Sequence, residues 1–320
     1  MSILVVGSVA LDSVQTTRGS RSRVLGGACT YFATAASLYD RVNMVAVVGT
    51  DFPQEHLDFL GSRNIDLRGL QIVEGETFSW SGRYGEDVNV RETLDTRLNV
   101  FANFSPVVPQ DYRDSECVFL ANIDPDLQLA VLEQVRSPKL TALDSMNYWI
   151  DSKRDSLARV LSRVDVALLN EAETKLLAQE PNLLAAARRV LSFGPSVLVV
   201  KRGDYGAMVV TQGQSVGESL FAIPAYPVED VVDPTGAGDS FAGGFVGHLA
   251  RCDRLSLESL RRAAVHGTVM ASFTVQGFSI DRLRTLTLAD VGRRYDAFRH
   301  LTYFEGLSPS ECGGFQKLFG

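Results

Sequence analysis

The chain is poor in cysteine. Its 320 residues hold four, Cys29, Cys117, Cys252 and Cys312, far apart and without C-x-x-C spacing. That scarcity argues against a disulfide framework and against a zinc site, and it fits a reducing, cytoplasmic setting. Clustered basic charge is also missing. Lys and Arg number 31 against 38 Asp and Glu, a net charge of −7. The arginine pairs at 188–189, 261–262 and 293–294 are isolated and read as solvated helix faces. No nucleic-acid partner is expected from such a balance. No apolar run approaches membrane-spanning length, and Met1–Gly7 carries neither the positive segment nor the apolar length of a secretory signal. No membrane partner is expected either. Two phosphate-binding fingerprints are absent as well. There is no G-x-x-x-x-G-K-[S/T], which excludes a Walker loop, and Gly7-Ser8-Val9-Ala10-Leu11-Asp12 lacks the G-x-G-x-x-G spacing of a dinucleotide turn.

What is present is an alternating pattern. Short apolar runs at 3–6, 44–48, 118–120, 140–143, 166–169 and 197–200 read as buried strands, with another strand at 206–211. Helical patterns at 28–39, 53–63, 126–136, 152–163 and 182–193 lie between them, and a long one follows at 256–273. Strand–helix alternation with nearly continuous apolar strands predicts a mostly parallel sheet covered on both faces. The rhythm breaks between Thr77 and Val100. There apolar and polar residues alternate with period two around Gly85-Glu86-Asp87, predicting a hairpin with one wet face. The stretch 14–24 is similarly polar. No repeat or linker divides the chain, so one domain over 1–320 is expected, with lid segments at about 12–25 and 76–100 inserted in it.

The chemistry concentrates in Asp233-Pro234-Thr235-Gly236-Ala237-Gly238-Asp239-Ser240-Phe241. Asp233-Pro234 stops an extended segment, and Phe241, Phe245 and Leu249 then recur at helical spacing. Unbonded N–H groups at such a helix start, with the positive end of its dipole, suit an anion. Asp239 in the first turn is either a helix cap or, beside a bound phosphate, a base for an attacking hydroxyl.

The run from Asp233 to Gly244 closely resembles the C-terminal signature of the ribokinase-like, or PfkB, family of carbohydrate and nucleoside kinases. That resemblance implies a three-layer α/β/α sandwich with a mostly parallel central sheet and a small β-sheet lid. It implies Asp239 as the general base and the amides of Gly236, Ala237 and Gly238 as the anion hole. Asn170-Glu171-Ala172-Glu173 resembles the family's Asn-x-x-Glu element, which makes Glu173 the residue that holds Mg2+ through water and Asn170 a phosphate contact. By itself the same tetrapeptide is a helix N-cap with an acidic first turn. Lys201-Arg202-Gly203, with Gly206 beyond it, resembles the family's nucleotide-contacting turn. Thr235 and His266 are carried over to the nucleotide side, His266 being equally readable as an ordinary helix histidine.

At the acceptor end, Asp12 corresponds to the aspartate that binds sugar hydroxyls, and Gly26-Gly27 to the di-glycine where backbone meets the sugar. Family kinases commonly have Asn four residues after the second glycine. Here Tyr31 stands there, so Thr30 or Tyr31 supplies a hydroxyl, or the acceptor is held differently. Val48-Gly49-Thr50-Asp51 is similar to a family segment near the acceptor. Phe78, Trp80 and Tyr84 alternate on one lid face with Arg83 on the other, and either stack on a base or form the lid's own core. The lid sequence and Asp144–Trp149 look like bacterial nucleoside-kinase-type members.

The expected function is therefore transfer of the γ-phosphoryl group of ATP, with Mg2+, to a primary hydroxyl of a nucleoside or sugar. A sugar or sugar-phosphate kinase of the same family is the alternative, with Arg83, Arg91 and Arg97 as candidate phosphate ligands. A non-catalytic nucleotide-binding regulator is the remote one. A monovalent cation such as K+ and a homodimer through the lid are left open, as is the role of the tail after Phe304.

Overall fold

The computed structural model describes residues 1–213 and 219–305. The tail beyond residue 305, Cys312 included, lies outside the described residues.

Thirteen described strands form two sheets. They are β1 (Ser2–Val6), β2 (Ala10–Thr16), β3 (Gly19–Gly26), β4 (Arg41–Gly49), β5 (Ile65–Val73), β6 (Ser79–Tyr84), β7 (Arg91–Arg97), β8 (Cys117–Leu120), β9 (Leu140–Asp144), β10 (Val166–Asn170), β11 (Val197–Lys201), β12 (Ala207–Thr211) and β13 (Leu220–Ile223). The larger sheet has the order β13-β12-β11-β10-β9-β8-β1-β4-β5. It is parallel from β5 to β11 and antiparallel only at the β11–β12–β13 edge.

The apolar runs predict this sheet because side chains alternate between two covered faces. In β1, Ile3 and Val5 join the core on one face and Leu4 and Val6 the core on the other. The same division separates Val197 and Val199 from Leu198 and Val200 in β11. Helices Ala28–Ala36, Ala237–Ala250 and Leu257–Thr274 contribute to the first face, and Arg154–Leu161, Glu171–Ala178 and Leu183–Leu191 to the second. Phe32 and Phe119 stack at 4.0 Å where helix meets sheet.

The smaller sheet, β3-β2-β6-β7, is the lid. The expected hairpin is present, Tyr84 pairing with Arg91 across its tip. It joins the polar hairpin of β2 and β3 through a parallel β2–β6 contact.

The helix expected over 152–163 is present as Arg154–Leu161. A separate short helix, Asn147–Ser152, precedes it, the two parted at Lys153, whose backbone is non-helical. The Lys153 ammonium is drawn across to Asp124 and Asp126 at 2.7 and 2.6 Å. The helix expected at 126–136 ends at Leu132, after starting from the Asp124 cap with proline in its first turn. Strand β5 and helix Leu288–Thr302 carry no continuous apolar run and were not foreseen, nor was β13, whose apolar run is only four residues long. β5 is an edge strand whose apolar residues are interrupted by Asp66, Arg68 and Gln71.

Candidate active site

The site lies at the C-terminal ends of the parallel strands, where three chain segments turn into helices under the lid. Its central turn is Asp233–Gly236. Asp233 is buried and accepts N–H bonds from Thr235 at 2.9 Å and Ser279 at 3.2 Å. Gly236 then enters the left-handed region (φ 74°) to start helix Ala237–Ala250. A side chain there would be strained, and an ideal Cβ would lie 2.3 Å from the Tyr31 ring. The turn commits the Ala237 amide to the Pro234 carbonyl at 3.2 Å. Among the described residues the amides of Gly236 and Gly238 have no protein acceptor, and both belong to the positive end of the helix. Asp239 follows in that first turn.

Asp239 is not an ordinary cap. Desolvation, with the negative charge of Asp144 adding to it, pushes its carboxyl up to about 7, while Lys201 and Arg91 pull it back. A carboxyl tuned to that range can both hold and release a proton near neutral pH.

Asp12 faces it from the lid side. Its carboxylate is 4% exposed and one oxygen, Oδ1, has no partner. Burial raises it to about 7, against the Gly27 amide that bonds its charged form. Gly26 passes so close that an ideal Cβ would fall 1.9 Å from Asp12 Oδ2, so only glycine fits. Gly27 (φ 92°) starts helix Ala28–Ala36, and a Cβ would meet the Ser8 carbonyl at 2.4 Å. On that helix the Thr30 hydroxyl is buried without a partner, and Tyr31, 2% exposed, lies with its ring under Gly236. The residue that departs from the family pattern therefore braces the Gly236 turn.

On the nucleotide side, Asn170 and Glu173 form a capping box, both bonds 2.8 Å. The box is no ordinary surface cap, since Glu173 is 7% exposed and pushed up to about 7 by burial and by Asp144. Lys201, at the end of β11, pairs with the buried Asp144 at the end of β9. It also lies against Gly238, whose ideal Cβ would sit 3.4 Å from Nζ. Gly203 (φ 59°) opens the following turn. Gly206 (φ 89°) packs onto the Ile223 carbonyl, an ideal Cβ falling 2.1 Å away, which ties β12 to β13. Thr235 reaches the other way, its hydroxyl 3.4 Å from the Tyr84 hydroxyl of the lid.

The register of the lid sorts its side chains. Directly paired residues share a face. Asp12–Trp80–Thr96, Gly82–Thr93 and Tyr84–Arg91 therefore line the face that holds Asp12, while Ser79–Arg97, Ser81–Asp95 and Arg83–Glu92 line the other. Trp80 folds over Gly82. Phe78 leaves this group and stacks on Phe101 at 5.4 Å, beside Phe104. Asp51 accepts from Thr77 N and Oγ1, both at 2.7 Å, and pairs with Arg23, so it anchors the roots of the lid.

His266 is not brought to this place. It bonds the Tyr39 hydroxyl through Nδ1 at 3.0 Å and stacks on His248 at 4.4 Å. His248 is eleven residues along the helix from Ala237, about 16 Å at 1.5 Å per residue. Burial there drives the His266 imidazole down to about 4, so it is a neutral packing residue. One residue at the site was missed as a candidate, Asp144, and of the three lid arginines named as phosphate ligands Arg91 alone shares the face of Asp12. A polar residue ending an apolar strand run was the available signal for Asp144. Which of the three lid arginines turns inward had none, because only the hairpin register sorts them.

The profile of the pfkB family carbohydrate kinases matches residues 2–282. A cytidine kinase from Thermococcus kodakarensis is 32% identical over 272 residues, covering 82% of this chain and 95% of that protein. Among solved structures, the Burkholderia thailandensis nucleoside kinase in complex with inosine superposes with a TM-score of 0.76 at 18% identity, covering 92% of this chain and 98% of that one. An Escherichia coli putative ribokinase II in complex with ATP and Mg2+ gives 0.76 at 19% identity, with 92% and 99% covered.

Proposed function

The chain belongs to the pfkB family of carbohydrate kinases, and on that premise we propose that it moves the γ-phosphoryl group of ATP to a primary hydroxyl of a nucleoside. It is an ATP-dependent phosphotransferase acting on the hydroxyl of a nucleoside or sugar. The observation that carries the mechanism is the convergence of the Asp12 and Asp239 carboxylates with the unbonded amides of Gly236 and Gly238. Asp12 holds an acceptor hydroxyl on its unpartnered oxygen. Asp239 takes the proton of the attacking hydroxyl, and the two amides with Lys201 receive charge developing on the phosphoryl oxygens. Glu173 and Asp144, two buried carboxylates that share the Lys201 counter-charge, fit a hydrated Mg2+. Bound there, the ion supplies positive charge to the phosphates. Asn170 and the Gly203 turn border the same side.

Two features favour a nucleoside over a sugar phosphate. Trp80 offers a flat apolar face in the same row as Asp12, suited to a base beside a ribose. Of the three candidate phosphate ligands, Arg83 is spent on Glu92 and Arg97 on Asp95, each at 2.8 Å and on the opposite face of the lid. A single uncommitted arginine acting on Asp12 and Asp239 suits a neutral acceptor better than an anionic one. A regulator without catalysis would have no use for a carboxyl tuned as Asp239 is.

The buried Asp233 carboxylate, with no cationic side chain against it among the described residues, would accommodate K+, which an exchange of K+ for Na+ in the assay tests. The free edge of β7 supports a homodimer through the lid, and the free cysteines 29, 117 and 252 support a cytoplasmic setting. No described helix is long and apolar enough to cross a membrane.

The test is a coupled ADP-release screen of cytidine, other nucleosides, ribose, fructose and sugar phosphates. Turnover with nucleosides is expected. Activity confined to sugars overturns the acceptor assignment, and no acceptor-dependent ADP release overturns the kinase.

A further inference from the structure

The lid carries one arginine whose position the family motifs do not explain. Arg91 opens β7 directly opposite Tyr84, on the face that holds Asp12 and Trp80. Among the described residues no carboxylate pairs with it, whereas its lid neighbours Arg83 and Arg97 are both paired on the other face. Its guanidinium lies 5.5 Å from the centre of the Trp80 ring, a contact that orients it and leaves its donors unspent.

Its charge reaches both halves of the cleft. It favours the ionised forms of Asp12 and Tyr84 at the lid, of Asp239 in the anion-binding turn, and of Glu173 on the nucleotide side. Lys201 is the other cation acting on Asp239 and Glu173, and it is already held by Asp144. A group felt from both sides lies near the line along which the phosphoryl group travels.

The hairpin tip is tethered on the far side of that line. Asn89 Nδ2 donates to Asp204 at 3.0 Å, and the Asp204 amide is 3.4 Å from Asn89 Oδ1. An ideal Cβ on Gly203 would fall 1.9 Å from the same oxygen, so the glycine leaves room for the tether. Asn89 is itself braced by Asp87, which accepts from its backbone at 2.9 Å and its side chain at 3.2 Å. The lid strand that carries Arg91 thus spans from acceptor side to nucleotide turn.

We propose that Arg91 is a catalytic contact to the phosphoryl group in transfer, delivered over the cleft by the docking of Asn89 on the Gly203–Asp204 turn. This rests on the kinase reading above. In the step, the bond from the γ-phosphorus to the β,γ-bridging oxygen breaks and its electron pair leaves on ADP. A new bond forms to the acceptor oxygen, whose proton passes to Asp239. Arg91 donates to non-bridging oxygens of the moving group, complementing the Gly236 and Gly238 amides from the opposite side.

The experiment compares full-length wild type with Arg91→Met, Arg91→Lys and Asn89→Ala, measuring kcat, acceptor KM and the affinities of ADP and of ADP with aluminium fluoride. Arg91 is exposed on an edge strand, and ADP affinity serves as the check that the variants are folded. Arg91→Met is expected to lower kcat about 10²–10³-fold and to weaken the aluminium fluoride complex in proportion, with ADP affinity unchanged. Arg91→Lys should recover part of kcat, and Asn89→Ala should lower it about 3–10-fold, an interaction lost at one remove. If Arg91→Met raises acceptor KM alone, or leaves kcat and the aluminium fluoride complex as in wild type, Arg91 is a packing partner of Trp80 and the inference falls. If wild type itself transfers nothing to any acceptor, the kinase reading falls with it.

Discussion

Replacing Asp239 by Asn should stop the reaction and stabilise the protein. The carboxyl sits near 4 in an unfolded chain and is pushed up to about 7 in the fold, chiefly by desolvation and next by Asp144. Between those values the folded state binds the proton more tightly than the unfolded one, so the contribution of this group to stability falls as pH rises from 4 to 7. Above pH 7 the native protein carries the whole cost of an ionised carboxylate there. Three pH units correspond to about 4 kcal/mol, an upper bound that residual solvent access lowers to roughly 1–3 kcal/mol. Asparagine has the same shape and no charge. At pH 8 Asp239→Asn should therefore melt higher than wild type by roughly 2–5 °C for a chain of this size. The gap should close as pH is lowered toward 4, where the wild-type carboxyl is neutral in both states. Turnover should move the opposite way, with kcat lower by about 10²–10⁴-fold at pH 8. In wild type, kcat/KM should rise with pH and level off above about 7, when the base is ionised. Differential scanning calorimetry across pH, with ADP-release kinetics on the same preparations, measures both. A variant that melts no higher than wild type at pH 8 refutes the stored electrostatic cost. A loss of kcat below tenfold refutes the base.

Two further substitutions probe the turn and the buried ion pair. Gly236→Ala places a side chain at φ 74° and against the Tyr31 ring, so it should cost about 1–3 kcal/mol in urea unfolding and lower kcat at least tenfold. Unchanged turnover would mean that the shape of the turn is not used. Lys201→Met strands Asp144 as a buried lone charge and should cost about 3–5 kcal/mol. Adding Asp144→Asn should restore much of that stability and none of the activity, and recovery of activity in the double variant would remove Lys201 from phosphate binding.

The sheet was legible because burial on both faces requires unbroken apolar strands, and the runs at 3–6, 118–120, 140–143, 166–169 and 197–200 could be little else. Edge strand β5 was not, since it depends on a partner distant in sequence, β4. At the site, local geometry carried much. The turn at Gly236 and the cap at Asn170 are set within a few residues, and sequence places them. His266 shows the limit, because helical pattern fixes a face but not how far along the helix the site extends.

Taken alone, the sequence determined the order of strands and helices, the glycine turn, and the presence of a carboxylate in its first turn. It could not say whether Asp239 was a cap or a base, because a pKa is set by what surrounds a group in space. Tertiary structure supplied those surroundings by burying Asp239 near Asp144 and Lys201, residues 95 and 38 positions away by chain numbering. It also decided which lid arginine faces the cleft, through a pairing register that one residue of slip would have reversed. Tyr31, a departure from the family pattern by sequence, became in space the floor beneath Gly236.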